Sequence, residues 1–193
     1  MKSNIKLTIL ATLASVASII YFSTISVNRI SNELQLLVIH CTATPANMPI
    51  DKNKIIKMHT LPENQGGRGW KVPGYSDIIK LNGIVENIVQ YNKDTIIQPN
   101  EITNGATGYN RIARHVVYAG GLDSITHKPL NTLNASQDST LKYYCKNFIK
   151  IYPHARIIGH NQVANKACPC FDVPDKVISW GIPEKNTIRG RLK

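Results

Sequence analysis

The sequence predicts an α/β fold because it combines a buried strand pattern with a long amphipathic helix pattern. The run from Leu36 to His40 is apolar until its final residue, which is typical of a strand buried on both faces of a sheet. Asn134 and Gln137 have the spacing of a capping box, which predicts that a helix begins there. That helix carries one apolar face, made of Leu141, Tyr144, Cys145, Phe148, Ile149 and Tyr152.

The region between these two elements contains a helix, a hairpin and a long loop. A helix is predicted from Asp51 to Thr60, after a proline-containing turn. Asn82-Gly83 lies between two β-prone runs, which is a strong signal for a β-hairpin, and Tyr75 would stand at the start of its first strand. The polar segment 87–110 is predicted to be a long loop, and such loops often form functional walls or lids.

Two more strands are predicted, one on each side of the long helix. The first runs from Ile112 to Ala119, and its interior contains Arg114 and His115. Because such polar side chains are unusual in a central strand, one of these two residues should face a cleft or solvent. The second strand, from Arg156 to Ile158, leads to His160.

The composition excludes general disorder and favours an anionic partner. The chain has 193 residues, of which 42% are hydrophobic, and its formal net charge is +11. A charge of this size favours nucleic acid, an anionic membrane surface or a cell-wall polymer, although it could also serve solubility alone. The basic residues are scattered, with no run of five, so we expect no nucleic-acid partner.

The four cysteines do not indicate a disulfide framework, because their spacing is irregular and contains no CxxC pair. Cys145 lies on the apolar helix face and is interpreted as a core residue. Cys168 and Cys170 are too close in sequence for the usual structural zinc knuckle. Cys41 has no role that the sequence assigns.

The N-terminus resembles an export or anchoring segment. Lys2 and Lys6 precede an uncharged run of 21 residues, Leu7 to Val27, which is long enough to cross a bilayer and also suits a secretory signal. A buried core helix is the alternative. We therefore predict a protein of the cell envelope, anchored in the inner membrane through residues 7–27 if the segment is not cleaved. The predicted boundaries are 1–30 for the signal peptide or anchor, 31–180 for the catalytic domain and 181–193 for a basic tail.

A metal site is predicted from residues far apart in the sequence. His160 lies eight positions before Cys168, with Lys166 two residues before the thiol. His40 would add a second imidazole at the end of the first strand. Two imidazoles and one thiolate predict an open zinc site, because catalytic zinc commonly keeps three protein ligands and leaves the fourth position to water. Alternatively, His40 is a core histidine; Cys41, on the opposite face of the strand, cannot share its metal.

Five segments occur in an order and at intervals that resemble a known family. They are Val38-Ile39-His40-Cys41-Thr42-Ala43-Thr44, Gly74-Tyr75, Gly108-Tyr109-Asn110, Gly120-Gly121-Leu122-Asp123, and Gly159-His160 continuing through Lys166-Ala167-Cys168-Pro169-Cys170-Phe171-Asp172. Together they resemble the N-acetylmuramoyl-L-alanine amidase type 2 family, which includes the T7 lysozyme and the peptidoglycan recognition proteins. The resemblance covers roughly residues 36–172, and its last segment is the most specific.

The resemblance implies a mixed central β-sheet flanked by helices, and hydrolysis of the amide that joins N-acetylmuramic acid to L-alanine in peptidoglycan. It implies Zn²⁺ as the cofactor, with His40, His160 and Cys168 as its ligands. It also implies that Tyr75 is the active-site tyrosine and that Lys166 is the lysine near the metal. An ammonium group suits this reaction because it can stabilise the oxyanion that forms when water attacks an amide.

The alternatives are simpler roles for the same residues. Tyr75 could be an ordinary strand aromatic, and Lys166 a solvated surface lysine. Relatives often carry histidine where this chain has Ser76. They also often carry asparagine, serine and a small residue where it has Arg111, Ala113 and Arg114-His115. These departures bear on substrate positioning and on support of the metal ligands more than on metal binding.

The alternative function is a non-catalytic peptidoglycan-binding module of the same fold. Inactive members of the family typically lack the cysteine ligand, so the presence of Cys168 favours catalysis. We expect peptidoglycan as the partner and a monomeric protein.

Overall fold

A mixed five-stranded sheet lies at the centre of residues 32–192, the part of the chain that the computed structural model describes. Its strands are β1 (Leu36–Cys41), β3 (Asp77–Ile79), β4 (Val85–Asn87), β5 (Ala113–Tyr118) and β7 (Arg156–Gly159). Their order is β4-β3-β5-β1-β7, and β4 alone runs antiparallel to its neighbour. The short strands β2 (Thr44–Pro45) and β6 (Gly121–Leu122) form a separate parallel pair. The predicted mixed sheet is confirmed.

Three α-helices are present in the described residues: α1 (Lys52–Thr60), α2 (Ala135–Ile151) and α3 (Val173–Ser179). Each helix begins at a side chain that accepts a hydrogen bond from a free backbone N–H of the first turn, the local interaction that fixes a helix start. The capping residues are Asp51, Asn134 and Asp172. The capping box predicted for α2 is confirmed in both directions, because Gln137 also accepts from the backbone of the cap.

The helices cover both faces of the sheet. Because side chains alternate across a strand, Leu37 and Ile39 point to the face covered by α2 and α3, where they share a core with Cys145. Cys145 is therefore a core residue, as predicted. On the other face, Val117 packs with Ile55 of α1.

The predicted Asn82-Gly83 hairpin joins β3 to β4. Lys80 N donates to Ile84 O at 2.9 Å, and Gly83 has a φ of 79°, a conformation that favours glycine. The turn also contacts α2, because Thr140 Oγ1 donates to Gly83 O at 2.9 Å. Tyr75 lies two residues before β3 rather than within it.

Arg114 and His115 point to opposite faces of β5, and both are buried. The Arg114 Nη2 atom lies 3.5 Å from Glu101 Oε2, and its guanidinium lies 3.9 Å from the centre of the Tyr91 ring. This ion pair ties the long segment between β4 and β5 to the sheet. The predicted loop is thus held to the sheet by a buried ion pair. Arg114 therefore faces neither the three candidate metal ligands nor solvent.

The C-terminal segment belongs to the packed part of the chain. Residues 181–192, predicted as a basic tail, pack on the domain: Asn186 Nδ2 donates to Pro153 O at 2.9 Å and to Ala155 O at 3.0 Å. The hydrophobic segment predicted at residues 7–27 lies outside the described residues. Within residues 32–192, no helix is both long enough and apolar enough to span a membrane.

Candidate metal centre

Three side chains from distant parts of the sequence converge beside the sheet. The donor atoms of His40, His160 and Cys168 all lie within 4.8 Å of one another. His40 Nδ1 lies 3.8 Å from Cys168 Sγ, and tetrahedral zinc would hold a nitrogen and a sulfur about 3.6 Å apart. The donor set and its spacing therefore fit a zinc ion.

The sheet register brings the two histidines together. Residue Ile39 of β1 pairs with Gly159 of β7 in parallel. The next residues, His40 and His160, therefore lie side by side, and their ring centroids are 4.5 Å apart. A side chain at Gly159 would lie within 3.0 Å of Pro169 Cδ. Glycine therefore lets the chain after His160 fold back closely over the end of β7.

Backbone hydrogen bonds hold Cys168 over these histidines. Asn161 N donates to Cys168 O at 2.7 Å, which closes the loop between the second and third donors. Cys41 N donates to Cys168 Sγ at 3.2 Å. This bond fixes the position of the sulfur at the end of β1.

The surroundings keep both imidazoles neutral, as metal ligation requires. Burial, followed by the neighbouring His115, lowers the pKa of His40 well below its ordinary value. Burial, followed by the charge of Lys166, lowers the pKa of His160 to about 4. Two neutral imidazoles therefore lie beside the sulfur of Cys168.

Tyr75 lies against the histidines, with its ring centroid 5.0 Å from that of His40. Burial, followed by the nearby thiols of Cys168 and Cys41, raises the pKa of Tyr75 above its ordinary value. The hydroxyl is therefore neutral and can donate a hydrogen bond. Lys166 is exposed, and its charge lowers the pKa of both His40 and His160, so its ammonium lies within electrostatic reach of both rings.

His59 supports Tyr75 in a way that the sequence did not reveal. Its ring centroid lies 5.1 Å from that of Tyr75 and 4.9 Å from that of Trp70. The Gly74 N–H donates to His59 Nδ1 at 3.0 Å, which fixes the backbone next to the tyrosine. No pattern in the sequence indicates these partners of His59.

Cys41 and Cys170 stand beside the metal site without joining the group of three donors. Their sulfur atoms lie 3.8 Å apart. Burial, followed by Cys41, raises the pKa of Cys170 to about 12. A hydrogen bond with Cys168 and then burial raise the pKa of Cys41 above its ordinary value. Both remain thiols at neutral pH, and of these three cysteines only Cys168 belongs to the group of three donors.

His115 is the residue at this site that sequence reasoning identified only as unusual. Its Nδ1 atom lies 3.0 Å from His40 Nε2, on the side of the His40 ring away from Cys168. Burial lowers the pKa of His115 to about 3, so it is neutral. The only signal in the sequence was an imidazole inside a predicted central strand.

The fold and the converging donors define a class: an α/β domain with a His₂Cys group, beside a mixed sheet, that could hold a metal ion. No family model matches the sequence. The endolysin of Enterobacteria phage K11 is 31% identical over 141 residues, covering 73% of this chain and 83% of that protein. The chain therefore belongs to the N-acetylmuramoyl-L-alanine amidase type 2 family, which includes endolysins of this kind.

Solved structures share the fold at lower identity. The Ph2119 endolysin from a Thermus scotoductus bacteriophage superposes with a TM-score of 0.57 at 20% identity, covering 78% of this chain and 86% of that one. The N-acetylmuramoyl-L-alanine amidase LysC from Clostridium intestinale also has a TM-score of 0.57, at 19% identity, covering 79% of this chain and 89% of that one. At these identities the likeness concerns the architecture alone.

Proposed function

We propose that this protein is a zinc-dependent N-acetylmuramoyl-L-alanine amidase, which hydrolyses the amide between N-acetylmuramic acid and L-alanine in peptidoglycan. The observation that carries the proposal is the convergence of His40, His160 and Cys168 within 4.8 Å. The similarity to the phage K11 endolysin supports the substrate class, and LysC shares the architecture.

Three residues would hold the metal and two would act on the substrate. Zinc bound by His40, His160 and Cys168 supplies a Lewis acid and activates water near neutral pH. The neutral hydroxyl of Tyr75 donates a hydrogen bond to the amide oxygen as negative charge develops on it. The ammonium of Lys166, at the exposed edge of the site, offsets that charge.

Replacing Tyr75 with phenylalanine should lower kcat about 100-fold, because one donor to the developing oxyanion is lost. Zinc content should not change, since the ring and its packing against His40 remain. The measurement is the rate of peptide release from peptidoglycan at saturating substrate. Tyr143→Phe is the matched control, since Tyr143 is exposed on α2. A Tyr75→Phe variant as fast as the parent would remove Tyr75 from the mechanism.

Replacing Lys166 with methionine should lower kcat about 10-fold, a smaller loss because water screens an exposed charge. Lys166→Arg should recover part of this loss, since the positive charge is restored. The control is Lys150→Met, an exposed lysine on α2 at the opposite face of the sheet. Equal rates for Lys166→Met and Lys150→Met would show that Lys166 is only a surface residue.

The function is tested by identifying the bond that is cut. Purified protein is incubated with peptidoglycan, and new L-alanine amino termini and new reducing sugar ends are counted. An amidase produces the first and not the second. A chelator should stop the reaction, and added zinc should restore it. New reducing ends would indicate a glycosidase instead, and tight binding without release of peptide would indicate a peptidoglycan-binding module.

We also propose that the protein acts in the cell envelope, with residues 1–30 as its signal peptide or anchor and residues 31–180 as its amidase domain. The net charge of +11 suits an anionic wall polymer. Cell fractionation and the intact mass of the mature protein test this proposal. A full-length protein found in the cytoplasm would contradict it.

A further inference from the structure

The two ring nitrogens of His40 have different neighbours. Nδ1 lies 3.8 Å from Cys168 Sγ, within the group of metal donors. Nε2 lies 3.0 Å from Nδ1 of His115, on the neighbouring strand β5. His40 is fully buried, so water does not compete freely for its second nitrogen.

The chemistry of a neutral imidazole fixes how these two rings must share their protons. A neutral ring has one N–H donor and one lone-pair acceptor. If Nδ1 of His40 gives its lone pair to a metal, the proton must sit on Nε2. That N–H then points at His115 Nδ1, which can accept it only if His115 carries its own proton on Nε2.

We propose that His115 is a positioning residue for the metal ligand His40: it accepts the Nε2–H of His40 and so holds the tautomer whose Nδ1 binds the metal. Ligating histidines commonly donate their second nitrogen to a fixed acceptor, which orients the ring and makes it a better ligand. The inference rests on the proposed function, since zinc is the metal in question.

Contacts from two neighbouring segments fix His115 next to His40. Ser76 N donates to His115 O at 2.8 Å, and His115 N donates to Ser76 Oγ at 3.3 Å, so the residue just before β3 fixes the backbone of His115. On the other side, a Cβ at Gly105 would lie 2.4 Å from His115 Nδ1. The long loop therefore passes the ring only because residue 105 is glycine.

A buried imidazole at position 115 is not the side chain that the stability of the fold alone would favour. His115 is fully buried, and its Nε2 atom has no hydrogen-bond partner among residues 32–192. An unpaired buried polar atom is destabilising. An apolar side chain of similar size would avoid this cost, so the imidazole serves the metal site rather than the core.

Two variants of similar size separate the acceptor from the packing. His115→Asn keeps an amide group at the position of Nδ1, whereas His115→Leu fills the space without any acceptor. We expect His115→Leu to weaken zinc binding about 10–100-fold, and His115→Asn to stay within a few-fold of the parent. Zinc affinity is measured by competition with a chelator, and the spectrum of the Co²⁺-substituted protein reports ligand geometry. The melting temperature of the metal-free His115→Leu variant should equal or exceed that of the parent.

The outcomes distinguish this inference from the function on which it rests. A parent that binds zinc, with a His115→Leu variant that binds it equally well, would overturn the inference alone. Equal weakening in both variants would also overturn it, because the acceptor would then be irrelevant. A parent that binds no zinc would overturn the proposed function as well.

A measurement on the parent protein decides the case even if His115→Leu fails to fold. Nuclear magnetic resonance of ¹⁵N-histidine in the zinc-loaded protein should show His115 protonated on Nε2 and unprotonated on Nδ1. A proton on His115 Nδ1 would contradict the proposed hydrogen bond.

Discussion

Replacing Cys168 with alanine should lower the rate of peptidoglycan hydrolysis by at least about 10³-fold. The substitution removes the sulfur of the proposed three-ligand set, and a catalytic metal typically contributes several kcal/mol to transition-state stabilisation. About 4 kcal/mol corresponds to a factor of about 10³ in rate. Peptide release and bound zinc should be measured on the same preparation, and both should fall together.

Cys170→Ala is the matched control, because Cys170 lies two residues further along the same loop. Its sulfur contacts Cys41 Sγ and Gly121 O rather than the donor group. Hydrolysis should therefore stay within a few-fold of the parent. If Cys168→Ala retained zinc and activity, or if Cys170→Ala lost both to the same extent, the ligand assignment would be wrong.

Replacing Glu101 with alanine should lower the free energy of unfolding by about 3–5 kcal/mol, because breaking a buried ion pair leaves one charge uncompensated. The side chains of Arg114 and Glu101 are only 2% and 3% exposed. Glu101 also accepts from Asn92 N at 2.7 Å and from Gln98 N at 3.2 Å. The variant would thus leave a buried guanidinium without its carboxylate and two backbone N–H groups without their acceptor. The expected loss is a large fraction of the free energy of unfolding of a domain of this size.

Urea denaturation measures this loss. Glu184→Ala is the control, since Glu184 pairs with Arg189 on the surface, where ion pairs contribute little. Equal stabilities for the two variants would contradict the structural role given to Glu101. Because Arg114 directly precedes His115 on β5, the metal affinity of Glu101→Ala should be measured well below its unfolding midpoint.

Local structure was readable from local sequence. Asn134 and Gln137 cap α2 as their spacing predicted, and Asn82-Gly83 forms the predicted turn. The apolar run that ends at His40 forms the buried strand β1, inside the sheet between β5 and β7. Each of these predictions depends on interactions between residues a few positions apart, which the sequence displays directly.

The candidate ligands were also selected from the sequence, by residue type and by resemblance to a family. The metal binding of His40, His160 and Cys168 stays a prediction until zinc is measured. Their proximity is a property of the fold, since His40 and Cys168 are 128 residues apart.

Only the tertiary structure decided what surrounds those ligands. His115 meets His40 across 75 residues of sequence, and Arg114, its neighbour on β5, turns to a buried carboxylate on the other face. The register between β1, β5 and β7 sets which side chains share a face. No short-range pattern encodes that register, because shifting a strand by one residue exchanges its two faces while leaving its sequence unchanged. The sequence thus determined the elements and the chemical types of the ligands, and strand pairing determined the partners that orient them.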